Sequence, residues 1–194
     1  MKLASDSSIK KFFDENNKIV VIQADNPDGD SLASALAIGK ISESLGKDVY
    51  QYCAVNIASY LDYIKGYDTI TSELPLDFDA TIIVDASAKV LFEALEKSGK
   101  LAQIGTKPCL VIDHHSNECD LEFATVVYQK KAVSASQLVD EVAKIIGADM
   151  EVDTKELITI GILSDSLGLV SEATDSKAVR LIALCRFMVE NFKT

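Results

Sequence analysis

Three carboxylates, Asp25, Asp28 and Asp30, fall close together in "ADNPDGDSLASALA" (24–37), and the chain then turns at once to small and aliphatic side chains. Acids gathered at the mouth of an expected helix either cap its unpaired amides or hold something positive. The same arrangement recurs further on. Asp85 follows the apolar "ATIIV", Asp113, His114 and His115 follow "CLVI", and Asp165 lies near the end of "ITIGILSDS". His114 and His115 are the chain's only 2 histidines.

Like charges a few ångströms apart cannot all stay ionised without compensation. Basic residues are few, 19 against 30 acids, so a divalent cation is the natural counter-charge. Carboxylates with imidazole suit Mn²⁺, and less well Mg²⁺, Co²⁺ or Zn²⁺. Two such ions about 3.5–4 Å apart can activate a water and stabilise both attacking and leaving oxygens in phosphoryl transfer. Taken singly, each residue has a plainer reading: Asp28 or Asp30 as a helix N-cap, Asp85 as a turn opener, Asp165 as a last-turn residue, a lone histidine as structural. Adjacent histidines after an Asp at a strand end, joined to acids after two other strands, carry the argument for chemistry.

The elements that must bring these residues together can be read from periodicity. A helix over 5–16 precedes a buried strand over 18–24, a helix over 31–46 and a strand over 48–54. "ASYLDYIKGY" (58–67) reads as helical, and the region around Pro75 as a loop. A strand over 80–87, a helix over 88–98 and a loop with Gly99, Gly105 and Pro108 lead to strands over 109–115 and 124–129. Helices over 134–147, 153–166 and 175–192 close the chain. Strands that are continuously apolar and alternate with helices predict an α/β fold, a mostly parallel sheet flanked by helices on both faces, with a helical C-terminal part. In such folds ligands bind beyond the carboxyl ends of the strands, where the acids and histidines fall.

Bulk properties narrow the function. A net charge of −11 repels the phosphate backbone of long duplex nucleic acid. No apolar run approaches membrane-spanning length, and "MKLASDSSIKKFF" lacks the apolar core of a signal peptide, so a cytoplasmic protein without a membrane partner is expected. Cys53, Cys109, Cys119 and Cys185 are widely spaced and predict buried, reduced thiols.

"NPDGDSLASALA", "IIVDAS", "VIDHHSN" and "GILSDSLG" together resemble, in order, the four motifs of the DHH phosphoesterase superfamily. Within it the chain is most similar to the nanoRNase and pAp-phosphatase group, bifunctional oligoribonucleases and PAP phosphatases. The resemblance covers nearly the whole chain as the family's N-terminal catalytic domain. It implies a Rossmann-like single domain over 1–194, without the glycine-rich, histidine-containing substrate-binding domain that two-domain members carry after it. An excised catalytic domain and a stand-alone version both fit.

The resemblance also implies roles. Asp28 would bind one Mn²⁺, Asp30 the other, and Asp85 would bridge them, while His114 and Asp165 would complete the ligand set of the second ion. His115 would face a substrate phosphate, and Asp113 would orient the histidines, so that Asp85, His114, His115 and Asp113 form the catalytic set. Ser34, and Ser134 or Ser136, would offer hydroxyl and N–H groups to a phosphate, or serve as plain caps. The implied substrate is a short oligonucleotide or a small phosphorylated nucleotide, its identity open, as is the oligomeric state, a homodimer included.

Two departures stand out. The family's first motif begins with a histidine four residues before its first Asp, and here that position is Ala24, which predicts a weakened first metal site. Side-chain alternation turns Gln23 and Asp25 away from it, leaving Asn26 as the better-placed substitute. The two arginines, Arg180 and Arg186, fall on the last expected helix, far from the strand ends, so weak substrate affinity is expected. A nucleotide- or metal-binding module that has lost turnover is the alternative reading. A receiver-type signalling domain also clusters acids after its strands, but the histidine pair and Asp165 count against it.

Overall fold

The computed structural model describes residues 4–192. Five strands form one sheet, all neighbours parallel, in the order β2-β1-β3-β4-β5: β1 Lys18–Ile22, β2 Asp48–Tyr52, β3 Ala80–Val84, β4 Cys109–Asp113 and β5 Val126–Gln129. β3 and β4 are buried along their whole length, as their unbroken apolar sequences require, whereas the edge strand β2 alternates between exposed and covered positions.

Among the described residues there are seven α-helices: α1 Asp6–Glu15, α2 Gly29–Ser44, α3 Glu93–Lys97, α4 Lys100–Ile104, α5 Ala135–Ile146, α6 Val152–Asp165 and α7 Ser176–Phe192. One face is thick. Ile19, Val21, Ile82, Val84, Leu110 and Ile112 pack there with side chains of α1, α2 and α5, while α6 lies on α2 and α5 and α7 lies on α6. The opposite face is thin, with Val20, Ile22, Ile83, Val111 and Val127 covered by Phe78, Phe92, Leu95, Ile104 and Leu121. The chain therefore has the expected α/β architecture.

The differences lie at element ends. β1 stops at Ile22, although Gln23 N still donates to Tyr52 O. β3 stops at Val84 because Asp85 turns into the left-handed region, φ 57°, and β4 stops at Asp113. The segment 58–67 is no α-helix. It forms 3₁₀ turns at Ser59–Leu61 and, just beyond, Tyr67–Thr69, neither with a side-chain cap, and Gly66 at φ 99° breaks any continuation. The expected helix over 88–98 is a 3₁₀ turn followed by α3, and the short α4 occupies the expected loop after Gly99. Among the described residues no helix is long and apolar enough to cross a membrane. All four cysteines are buried and free.

Candidate metal centre

The sheet order reverses at β1, since β2 lies on one side of it and β3 on the other. Such a switch point opens a crevice beyond the carboxyl ends of the strands. The β1–α2 loop, the residue after β3 and the end of β4 deliver their polar side chains there. Register does part of the positioning: Val84 pairs with Ile112, so Asp85 and Asp113 leave the sheet side by side.

Asp28 is the N-cap of α2. Its Oδ1 accepts from the backbone N–H groups of Asp30 and Ser31, both at 3.0 Å, and the Ser31 hydroxyl approaches the Asp28 N–H in return. The capping reading of this residue therefore holds. The box uses one oxygen, and Asp28 is otherwise exposed. Asp30 is fully buried; its Oδ2 accepts from Ala135 N at 2.6 Å and its Oδ1 from Ser136 N at 3.1 Å. A carboxylate from α2 thus sits against the positive end of α5.

His114 occupies the middle of the cluster. Its Nε2 lies 3.2 Å from Asp85 Oδ1 and 3.1 Å from Asp165 Oδ2, and its Nδ1 is 3.3 Å from the Ala132 carbonyl. Two groups among the described residues place ligand atoms close enough to share a cation: Asp85, His114 and His115, and Asp30, His114 and Asp165. Distant parts of the chain therefore do gather Asp30, Asp85, His114, His115 and Asp165. Asp28 joins the same electrostatic neighbourhood, since its charge helps to raise Asp85.

Burial disfavours the charged form of Asp30 and of Asp85. Burial, with Asp85 and Asp165 adding, pushes Asp30 up to about 8. Burial also raises Asp85 to about 6, against the opposing pull of His114. For His114 burial alone would lower the value, but hydrogen bonds to Asp165 and Asp85 outweigh it and raise the imidazole to about 11.

Asp113 is fully buried beneath this layer. Burial pushes it upward, yet hydrogen bonds from His115 and Ser87 prevail and hold it below the usual carboxylate range. His115 Nδ1 lies 2.7 Å from Asp113 Oδ1, which turns the other ring nitrogen away from Asp113. Ser87 Oγ and Gln129 Nε2, at 2.5 and 3.0 Å, donate to Asp113 Oδ2, and Gln129 also reaches the backbone carbonyls of His115 and Asn117. Ser87 and Gln129 escaped the sequence reading. The one signal for Gln129 is its place at the end of β5, where it pairs in register with Asp113.

The serines divide differently from the expectation. Ser34 is fully buried and donates to Ser31 O within α2, so it cannot meet a substrate phosphate. Ser134 is a fully buried N-cap of α5, its oxygen accepting from Gln137 N, and it too is a plain cap. Ser136 is also fully buried; its N–H is given to Asp30 and its hydroxyl is held beside Asp30 without a hydrogen bond of good geometry. The α5 N-terminus is thus filled by Asp30 rather than open to a phosphate.

Ala24 is buried against the thin-face core. Asp25 turns aside to accept from Ala94 N at the start of α3, while Asn26 is exposed. Among the described residues, neither group of side chains able to share a cation includes a neighbour of position 24 in sequence. Arg180 and Arg186 both fall on α7; Arg180 lines a groove between α5 and α7 with Asp140, Lys144 and Lys177, away from the acids and histidines.

A family model described as "DHH family, N-terminal domain" matches residues 18–162, from the first residue of β1 to three residues short of Asp165. The bifunctional oligoribonuclease and PAP phosphatase NrnA of Mycoplasma genitalium is 26% identical over 181 residues, 92% of this chain and 54% of that protein. An exopolyphosphatase-related protein from Bacteroides fragilis superposes with a TM-score of 0.82 at 20% identity, over 96% of this chain and 58% of the other. The exonuclease RecJ bound to manganese superposes with a TM-score of 0.55 at 14% identity, over 94% of this chain and 47% of that one. The chain thus spans about half the length of these relatives, and the two structures share its fold. With the model matching most of the sequence and the acid–histidine cluster gathered at the strand ends, the chain belongs to the DHH family.

Proposed function

We propose that this chain is a divalent-metal-dependent phosphohydrolase acting on short oligonucleotides or small phosphorylated nucleotides. One observation carries the reading: His114 Nε2 faces Asp85 Oδ1 and Asp165 Oδ2 at once, at 3.2 and 3.1 Å. A single N–H can serve only one of these oxygens. With Nδ1–H donated to Ala132 O, the Nε2 lone pair and both carboxylates converge, which is the donor arrangement a cation needs. The residues present therefore fit a metal, and oxygen with imidazole favours Mn²⁺.

Asp28 would hold one ion, Asp30 a second, and Asp85 both, with His114 and Asp165 as further ligands of the second ion. Asp30 can serve although its oxygens accept amide bonds, because each carboxylate oxygen has two acceptor sites. Bound there, the ions would supply a water of lowered pKa and positive charge for the phosphate oxygens. Asp113, pinned by Ser87 and Gln129, fixes the His115 ring through Nδ1, which would leave its Nε2 to meet a substrate phosphate. Ala24 would leave the first ion without the imidazole that the family's first motif carries there. The names of the relatives, an oligoribonuclease and PAP phosphatase and an exonuclease, support the nucleotide class.

The test is a Mn²⁺ titration with a dinucleotide as substrate. Release of mononucleotides that is lost in Asp85→Ala is the expected result. Ala24 favours a second reading, a binding module without turnover, for which the signature is saturable dinucleotide binding with no product over hours. Neither binding nor product would sink both.

A further inference from the structure

From Ser59 to Ile64 the chain runs as successive i→i+3 turns, with Leu61 N donating to Ala58 O, Asp62 N to Ser59 O and Ile64 N to Leu61 O. Side chains three apart eclipse one another in such turns. Leu61 and Ile64 accordingly point inward together, 1% and 0% exposed, into the core that also holds Leu32 and Leu36 of α2. Tyr60 and Tyr63 point outward together, 65% and 63% exposed. Tyrosine rings left open to solvent contribute nothing to the core.

Their location is specific. A Cβ at Gly29 would lie 3.6 Å from the Tyr63 hydroxyl and 2.4 Å from Ser164 Oγ. Gly29 separates Asp28 from Asp30, and Ser164 precedes Asp165. The Tyr63 hydroxyl therefore stands at the seam where the start of α2 meets the end of α6, on the rim of the acid–histidine cluster, and Tyr60 lies one 3₁₀ turn before it on the same exposed side.

We infer that Tyr60 and Tyr63 form a stacking platform for a nucleobase of the bound substrate, an inference that rests on the nucleotide reading above. Stacking answers a need the rest of the molecule leaves open. The cluster is acidic, the net charge is −11, and the arginines sit on α7. Lys65, the cation next to the platform in sequence, is paired with Asp153 at 2.7 Å. A ring face attracts any base regardless of charge, so it adds affinity where guanidinium contacts are missing. The platform also selects for ligands that carry a base over bare phosphate chains.

The experiment uses the Mn²⁺-loaded chain and a dinucleotide carrying 2-aminopurine, whose fluorescence falls on stacking. Tyr60→Leu and Tyr63→Leu are expected to raise KM roughly tenfold or more and to remove most of the quenching, with kcat affected far less. Tyr60→Phe and Tyr63→Phe keep the ring and are expected to keep both the quenching and the KM. Exposure of the side chains predicts unchanged melting temperatures for all four. Wild-type levels of quenching and KM in the leucine variants would overturn the platform while leaving the hydrolase reading intact. Quenching without product in the wild type would do the reverse, and no quenching in the wild type would refute the platform outright.

Discussion

At the scale of single residues, the cluster is a proton store. Asp30 at about 8 and His114 at about 11 both hold a proton at pH 7 when no metal is present. A ligating carboxylate and a ligating imidazole must give theirs up. Mn²⁺ binding at neutral pH is therefore expected to release protons, one from each of these residues, and to strengthen as pH rises toward 8. Calorimetric titrations in buffers of different ionisation enthalpy measure that count, and an enthalpy independent of buffer would contradict the proposed shell. Ala24→His would supply the imidazole that the family's first motif carries at this position and is expected to raise the Mn²⁺ stoichiometry from about one toward two, with faster hydrolysis. An unchanged stoichiometry would mean that another group already completes the first shell. Asp85, His114 and Asp165 were legible in the sequence because each interrupts or ends an apolar run. The double duty of Asp30 was not, since the amide it meets at Ala135 lies 105 residues away. Ser87 and Gln129 were hidden for a related reason: their role depends on strand order and register, which no local pattern encodes.

At the scale of elements, the cluster depends on how closely α6 approaches α2 and α5. α6 is buried along several sides, at Leu157, Ile158, Gly161 and Ile162, because α2 and α5 lie beneath it and α7 covers it. A Cβ at Gly161 would fall 1.9 Å from Ser136 Oγ and 2.5 Å from Asp30 Oδ1, so only glycine allows this crossing with Asp30 in place. Gly161→Ala is expected to cost about 1–3 kcal/mol of stability through overpacking. It should also weaken Mn²⁺ binding, by displacing Asp30 or by moving Asp165 one turn along the same helix. Thermal melts with and without Mn²⁺ separate the two effects, and a variant that matches the wild type in both would refute the close approach. The elements themselves were mostly legible, strands from their β-branched runs, α5 from its Ser134 cap and apolar spacing, and α6 from its long apolar content. The segment 58–67 was not. Its hydrophobic spacing suits a helix, but neither turn has a side-chain cap and Gly66 in the left-handed region stops the run.

At the scale of the whole molecule, charge sets how a substrate must be captured. Proteins that hold nucleic acid through lysine and arginine lose affinity steeply with salt, by a slope of about −0.7 per neutralised phosphate for single strands. Here acids outnumber basic residues, the net charge is −11, and the arginines lie on α7 rather than at the strand ends. The long-range field of such a molecule repels an anionic ligand until it reaches the metal centre. Added salt screens that repulsion over a Debye length of about 10 Å at 0.1 M, while contacts to bound cations and to a ring face are short-ranged and change less. The expected outcome is that KM for a dinucleotide, measured at saturating Mn²⁺, stays level or falls as KCl rises from 0.05 to about 0.2 M. A KM that climbs steeply over that range would show that basic side chains carry the affinity, and would place the substrate on a surface other than the switch-point crevice at β1.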